Sequence, residues 1–445
     1  MQSTGRRPAF GEAILWLSLA ASLFLVLGAI APFNRIGIWL QSEPVIAGRL
    51  LASSGVAGGV LLILVAQRRE NIRECLLHPL ALVPLALSAW GIVTLPFAIL
   101  PLLSAFGSPE LGEGILSQLG LALFVAAFLY VKRDARARHA FAVLALLAIA
   151  LAAFLTLSGS TAWRPFFFED FLAFYGVYFW VIARTWFERR NAWTDFGAAL
   201  GAVAIVAAAD NRAAWLAGAI AVGVYAGGRW AEARLGPGRT RFLCALAVVL
   251  PPAVITLALV LGLRLGVAAP DQESAAMSLF SRAILIDVVT EAIRADPWRA
   301  LTGVGWGHFT ELLLGYAPSA NAATNLHTLG GGYYWDAMWR GDFHGHNAFV
   351  EALAAGGAPG FLFAFAFVAA IPFFAAPRHR VLATGFAAYL AVLGTAWFEM
   401  PTSLPLLAMA LAGVAADPAK ARTGAAMPGD GRERERNGGG KSRSI

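Results

Sequence analysis

The chain has 445 residues, 58% hydrophobic and only 14% charged, with a mean hydropathy of +0.66. That balance excludes a water-soluble globular class and describes a chain whose solvent is mostly lipid. The net charge of +7 follows the expected membrane topology and calls for no nucleic-acid partner.

Runs near the length of about 20 apolar residues needed to cross the hydrocarbon occur near 13–32, 45–66, 79–103, 113–131, 139–158, 168–187, 193–209, 213–228, 242–263, 347–375, 380–397 and 402–416. They predict an all-α, polytopic integral membrane protein with about 12 transmembrane helices and one large outer loop. Arg6 and Arg7 before the first run resemble the start of a secretory signal, but the run is longer than a usual h-region and reads as a retained helix. The pair 193–209 and 213–228 is the shortest, divided only by Asp210, Asn211 and Arg212. The chain therefore divides into helices one to nine over 1–263, an outer loop with amphipathic helices over 264–346, helices ten to twelve over 347–416, and a tail over 417–445. The tail lacks the apolar content to fold and carries basic residues suited to anionic lipid.

Charge supports this alternation. With the N-terminus in the cytoplasm, about 25 of the 34 Lys and Arg fall in inner connections or the tail and about 9 outside. Cys75 and Cys244 both fall on the reducing inner side, so no disulfide is expected in the outer loop. There is no P-loop, dinucleotide fingerprint or HExxH motif, and no cofactor is implied.

Connections are short except for the segment 264–346, which concentrates Arg, His, Asp and Trp and is where function is sought. Within it, Leu279, Phe280, Ala283, Ile284, Ile286, Val289 and Ile293 recur at helical spacing and predict an amphipathic helix carrying Arg282, Asp287, Glu291 and Arg294. Arg212, in the short turn DNRAAWL, suits an anion clamp because guanidinium pairs bidentately with phosphate; it equally suits a residue snorkelling to headgroups. His344 and His346 stand just before the helix beginning near 347, where an imidazole is suited to accept a hydroxyl proton; Asn347 is also a good N-cap for that helix. His308, His327, His344 and His346 raise a metal alternative, but they lack compact ligand spacing and no metal is expected. Trp298, Trp306, Tyr316, Tyr333, Tyr334, Trp335 and Trp339 would stack on sugar rings, and equally favour the headgroup level.

The segment GVGWGHF at 303–309, followed by HGHNAFVEALAAGGAPGFLF from 344, resembles the signature region of the O-antigen ligase and polysaccharide polymerase family. GSPELGEGIL at 107–116 is a weaker echo of an outer-loop element in that family. The resemblance implies a large periplasmic loop late in a chain of about twelve helices, with both termini in the cytoplasm of a bacterial inner membrane. It implies that His346 is the catalytic base and that Arg212 and Arg282 hold the donor diphosphate, although Asn211 stands where the family often has Ser. Substrate contacts are expected from His344, Asn347, Trp306, Tyr334, Trp335 and Arg340. The implied donor is a polyprenyl-diphosphate-linked glycan, and the acceptor is lipid A core or a growing glycan, with membrane lipids as further partners. The resemblance does not choose among ligase, polymerase and protein oligosaccharyltransferase. A lipid-linked glycan transporter is the rival class, and such carriers place ionisable groups near the bilayer midplane. A non-catalytic assembly subunit is a third.

Overall fold

A computed structural model describes residues 10–23, 69–106, 114–157, 168–187, 191–209, 211–264, 286–307, 312, 315, 347–395 and 404–417. These are helical, with α1 Phe10–Leu23, α2 Arg69–Leu76, α3 Pro79–Thr94, α4 Pro101–Phe106, α5 Ile115–Val131, α6 Ala135–Leu157 and α7 Phe168–Thr185. They continue as α8 Ala192–Ala207, α9 Arg212–Arg234, α10 Pro237–Arg264, the single turn α11 Arg299–Thr302, α12 Ala348–Phe373, α13 Arg380–Leu393 and α14 Leu404–Val414. No strand occurs among the described residues; the one bridge pairs Ala375 with Ala415.

Among the described residues, four helices are long and apolar enough to cross a membrane, over Pro79–Phe97, Ala135–Phe154, Pro237–Ala258 and Ala348–Phe373. The other apolar helices are shorter, and the run 45–66 lies outside the described residues. The expected span 79–103 is corrected: α3 ends at Thr94, gives a 3-10 turn at Leu95–Phe97, and the chain restarts as α4. Pro96 has no N–H for the i−4 carbonyl, which removes a bond of the helical ladder at the point where α3 gives way to the 3-10 turn. The run 213–228 is also extended, since α9 continues to Arg234.

The centre of the bundle is α14, buried at every position, packed against α5 and α7. Its uniformly apolar sequence therefore meets protein on all sides. The opposite situation holds on α8 and α10. Trp193, Phe196, Leu200 and Val203, and Leu243, Leu246, Leu250, Val254, Leu257 and Leu261, recur at three- and four-residue spacing and are all exposed. Stripes of this extent are unfavourable in water and suited to lipid.

The helix ends define two faces. At one, Lys132 beyond α5 donates through Nζ to the carbonyls of Ala412 and Gly413 at 2.7 Å each, and of Ala415 at 3.3 Å, satisfying the end of α14. Burial pushes the Lys132 ammonium down to about 7, and the neighbouring Arg378 adds to this. The same face holds the Arg133–Glu74 pair at 3.1 Å and the Arg184–Asp195 pair at 3.2 Å. The ends of α9 and α12 and the starts of α10 and α13 also lie here, as Gly228 facing Val381 and the Ala375–Ala415 bridge require. This basic face gathers Arg229, Arg234, Arg239, Arg241, Arg378 and Arg380. At the opposite face, Ala348 N–H donates to Gly394 O at 2.7 Å, joining the start of α12 to the end of α13. Because α9 packs antiparallel on α13, with Gly385 against Tyr225 and Ala221, the start of α9 belongs to this second face too.

Candidate functional site at the start of helices α9 and α12

Two of the helices that begin at the second face, α9 and α12, are capped by asparagine. Asn211 Oδ1 accepts from Ala213 N–H at 2.9 Å and Ala214 N–H at 3.2 Å. Asn347 Oδ1 accepts from Phe349 N–H at 3.0 Å and Val350 N–H at 3.2 Å. Each cap satisfies two otherwise orphaned amides, and each leaves a helix N-terminus with its partial positive charge at this face. Asn347 is only 1% exposed, and its Nδ2 has no hydrogen-bond partner among the described residues. Burying an unsatisfied amide donor is costly, which makes this group available to an acceptor oxygen.

One turn further along α12 lies Glu351, 3% exposed. Sequence reasoning passed over it as a site residue. The signal was the i, i+4 spacing in HNAFVE, which puts Asn347 and Glu351 on one face of the helix. A carboxylate in the first turn complements the helix dipole.

The same helix is broken two turns in. Gly357 adopts φ 65°, ψ −160°, a region open essentially to glycine alone, and Pro359 has no N–H to offer the carbonyl of Ala355. The carbonyls released by this break are taken up by the segment GVGWG. Val304 N–H donates to Ala354 O at 2.8 Å and Gly305 N–H to Ala355 O at 3.1 Å. Trp90 Nε1–H of α3 donates to Gly356 O at 2.8 Å. The turn is held from its other side by Ile99 N–H to Val304 O at 3.0 Å and by Trp306 N–H to Ser104 Oγ at 2.9 Å.

Glycine is required on both sides of this clasp. A Cβ on Gly303, whose φ is 69°, would lie 2.3 Å from Ala355 O, and one on Gly357 would lie 2.4 Å from Leu301 O. The two sequence elements that carry the family resemblance thus meet as one interlocked backbone structure, across a separation no local pattern reveals. Around it, Trp306 packs with Leu87, Ile115, Ala352 and Ala355.

Placement of the expected site residues divides sharply. Asn347 is at the start of α12, as its capping chemistry suggests. Arg212 is the first residue of α9, and its side chain lies outside the described part. Arg282, His344, His346, Tyr334, Trp335 and Arg340 lie outside the described residues, as do the loop histidines behind the metal alternative and the tail over 418–445. Trp306 is 3% exposed and packs in the core beside the clasp.

The predicted amphipathic helix is described over 286–295, with Val288, Val289 and Ala292 buried and Arg294 paired with Glu291 on the outer side. Asp296 and Arg299 form a second pair at 3.5 Å. Among the described residues no group of three His, Cys, Asp or Glu is arranged to hold a metal. Comparison with known proteins returns no match to any family model, curated protein or solved structure.

Proposed function

We propose that the chain is a membrane glycosyltransferase that moves a glycan from a polyprenyl-diphosphate donor to a hydroxyl acceptor at the face where α9 and α12 begin. The observation that carries this reading is the clasp: GVGWG and the Gly-Gly break of α12 form one structure that fixes the helix start reached directly from His344 and His346. In this reading that face is periplasmic, the basic face is cytoplasmic, and the protein spans a bacterial inner membrane about twelve times.

The chemistry follows from the residue types. The acceptor oxygen attacks the anomeric carbon, the bond from that carbon to the diphosphate oxygen breaks, and polyprenyl diphosphate leaves with the bonding pair. His346 takes the acceptor proton, a role suited to an imidazole. Arg212 and Arg282 hold the diphosphate charge, supported by the N-terminal dipoles of α9 and α12, so the leaving group is stabilised electrostatically. Asn347 Nδ2 is a donor for a substrate oxygen, with His344, Tyr334, Trp335 and Arg340 as further contacts. Ligase activity towards lipid A core is the first assignment and polymerase activity the alternative, since both use the same donor chemistry.

The break in α12 favours one second reading, a lipid-linked glycan transporter, because carriers use discontinuous helices. Here the carbonyls of Ala354, Ala355 and Gly356 already accept from Val304, Gly305 and Trp90. That occupancy supports an architectural role for the break. The discriminating experiment compares wild type and His346→Ala in reconstituted membranes supplied with polyprenyl-diphosphate glycan and acceptor. The reading expects donor cleavage by wild type that the variant loses. Cleavage undiminished in the variant removes His346 as the base, and passage of intact donor across the bilayer without cleavage supports the transporter.

A further inference from the structure

At the basic face, Arg380 opens α13 and is 3% exposed. Its carbonyl accepts from Thr384 Oγ1 at 2.8 Å, a backbone contact that leaves the side chain unused. The guanidinium makes no hydrogen bond or ion pair with any of the described residues, and its Nε is fully buried. Its charged neighbours are Arg241 of α10, whose charge opposes its own, and Glu232 of α9, which forms no ion pair with it. No acidic residue stands in the first turn of α13. The exposed Arg229, Arg234, Arg239 and Arg378 add to the positive field of this face.

An arginine buried beside another arginine, at a helix end that is itself partially positive, is poorly stabilised unless an anion completes it. A guanidinium suits phosphate in particular, because its planar fork matches two phosphate oxygens. Arg380 stands where α9, α10 and α13 pack together at this face, beside the exposed apolar stripe of α10 that is suited to lipid. Basic sites between helices next to such a surface bind lipid headgroups. We propose that Arg380 and Arg241 form a binding site for a phosphate ester, supplied by the headgroup of an anionic phospholipid and independent of the glycosyl-transfer site at the opposite face.

The test uses the purified full-length chain in neutral detergent, titrated with phosphatidylglycerol, phosphatidylcholine or inorganic phosphate. Melting temperature and bound lipid, the latter by native mass spectrometry, are the readouts. Wild type is expected to bind phosphatidylglycerol at least about tenfold more tightly than phosphatidylcholine. Arg380→Gln and the exposed-site variant Arg241→Gln lose that preference. Glu232→Gln retains it, and so does Arg234→Gln, whose guanidinium sits over Trp230 instead. Should Arg380→Gln fail to fold, Arg241→Gln carries the comparison. Competition by inorganic phosphate at similar concentration would identify free phosphate as the source, and its absence the lipid headgroup; both outcomes support the phosphate site. Equal binding of the two lipids by wild type with no effect of inorganic phosphate, a preference undiminished in Arg241→Gln, or an equal loss in Arg234→Gln overturns the proposal.

Discussion

Replacing Gly357 by alanine is the sharpest perturbation of the clasp. An L-residue at φ 65°, ψ −160° costs of order 1–3 kcal/mol in backbone strain alone. The added Cβ would also lie 2.4 Å from Leu301 O and 2.8 Å from Ala300 O, both backbone atoms with no rotamer to change. The turn at 299–305 must therefore withdraw. Doing so breaks the bonds from Val304 and Gly305 to α12, each worth about 0.5–1.5 kcal/mol net. The sum is about 2–6 kcal/mol, enough to open the clasp within a domain whose total stability is of order 5–15 kcal/mol.

Gly356→Ala supplies the matched control. Its Cβ would meet Trp90 Cδ1 at 3.6 Å and Trp306 Cζ2 at 3.8 Å, ordinary contacts, so it should cost no more than about 1 kcal/mol. Hydrogen exchange at the amides of Val304 and Gly305, read beside the melting temperature, distinguishes local opening from global loss. Gly357→Ala is expected to lose protection at both amides and to lose glycan transfer. Full protection in Gly357→Ala, or equal damage from Gly356→Ala, would refute the clasp as described.

The remaining expectations concern single side chains. Asn347→Ser keeps a cap acceptor without adding a charge beside the buried Glu351 and should stay within about 1 kcal/mol of wild type in stability while losing most activity; Asn347→Ala should also lose about 1 kcal/mol of stability. Equal activity in Asn347→Ser would remove the amide donor from the mechanism. Arg212→Ala and Arg282→Ala should abolish transfer with membrane insertion intact, and Lys at either position should restore little because a bidentate fork is lost; substantial rescue by Lys would reduce each role to a point charge. His78 accepts from Leu80 N–H through Nδ1 at 3.2 Å. Burial and then the Lys132 charge push its pKa down from 6.5 to about 4. Its contribution is present above the unfolded value and is lost as pH falls from about 6.5 through about 4. The loss is about 3 kcal/mol at most. His78→Asn, which caps without titrating, should flatten that part of the stability profile, and an unchanged slope would assign it to other groups.

Helix positions were legible because hydropathy over about 20 residues is a local property, and α5, α6, α7 and α12 lie close to the runs that predicted them. Pro96 was equally visible in the sequence, yet a run read for apolarity alone passed through it. Asn347 was legible as an N-cap because capping involves residues only two and three positions away. The clasp was not, because its hydrogen bonds join Val304 and Gly305 to carbonyls in α12 and Trp90 to Gly356, pairings set by tertiary packing. Both glycine groups were noticed as motif elements without any sign that each fills the space left by the other. The packing of Trp306 was hidden for the same reason, since its neighbours come from α3, α5 and α12. The burial of Arg380 was not legible at all, since burial and the absence of a partner among the described residues are three-dimensional properties.

The central claim is cleavage of a lipid-linked donor, and the direct measurement is stoichiometry in proteoliposomes of the wild-type chain. Dual-labelled polyprenyl-diphosphate glycan is supplied with acceptor, and released polyprenyl diphosphate is counted against glycan joined to acceptor hydroxyl. Glycosyl transfer predicts equal molar amounts of the two, appearing together and dependent on acceptor. Intact donor recovered in full from either leaflet, with acceptor supplied and the protein correctly inserted, would contradict it.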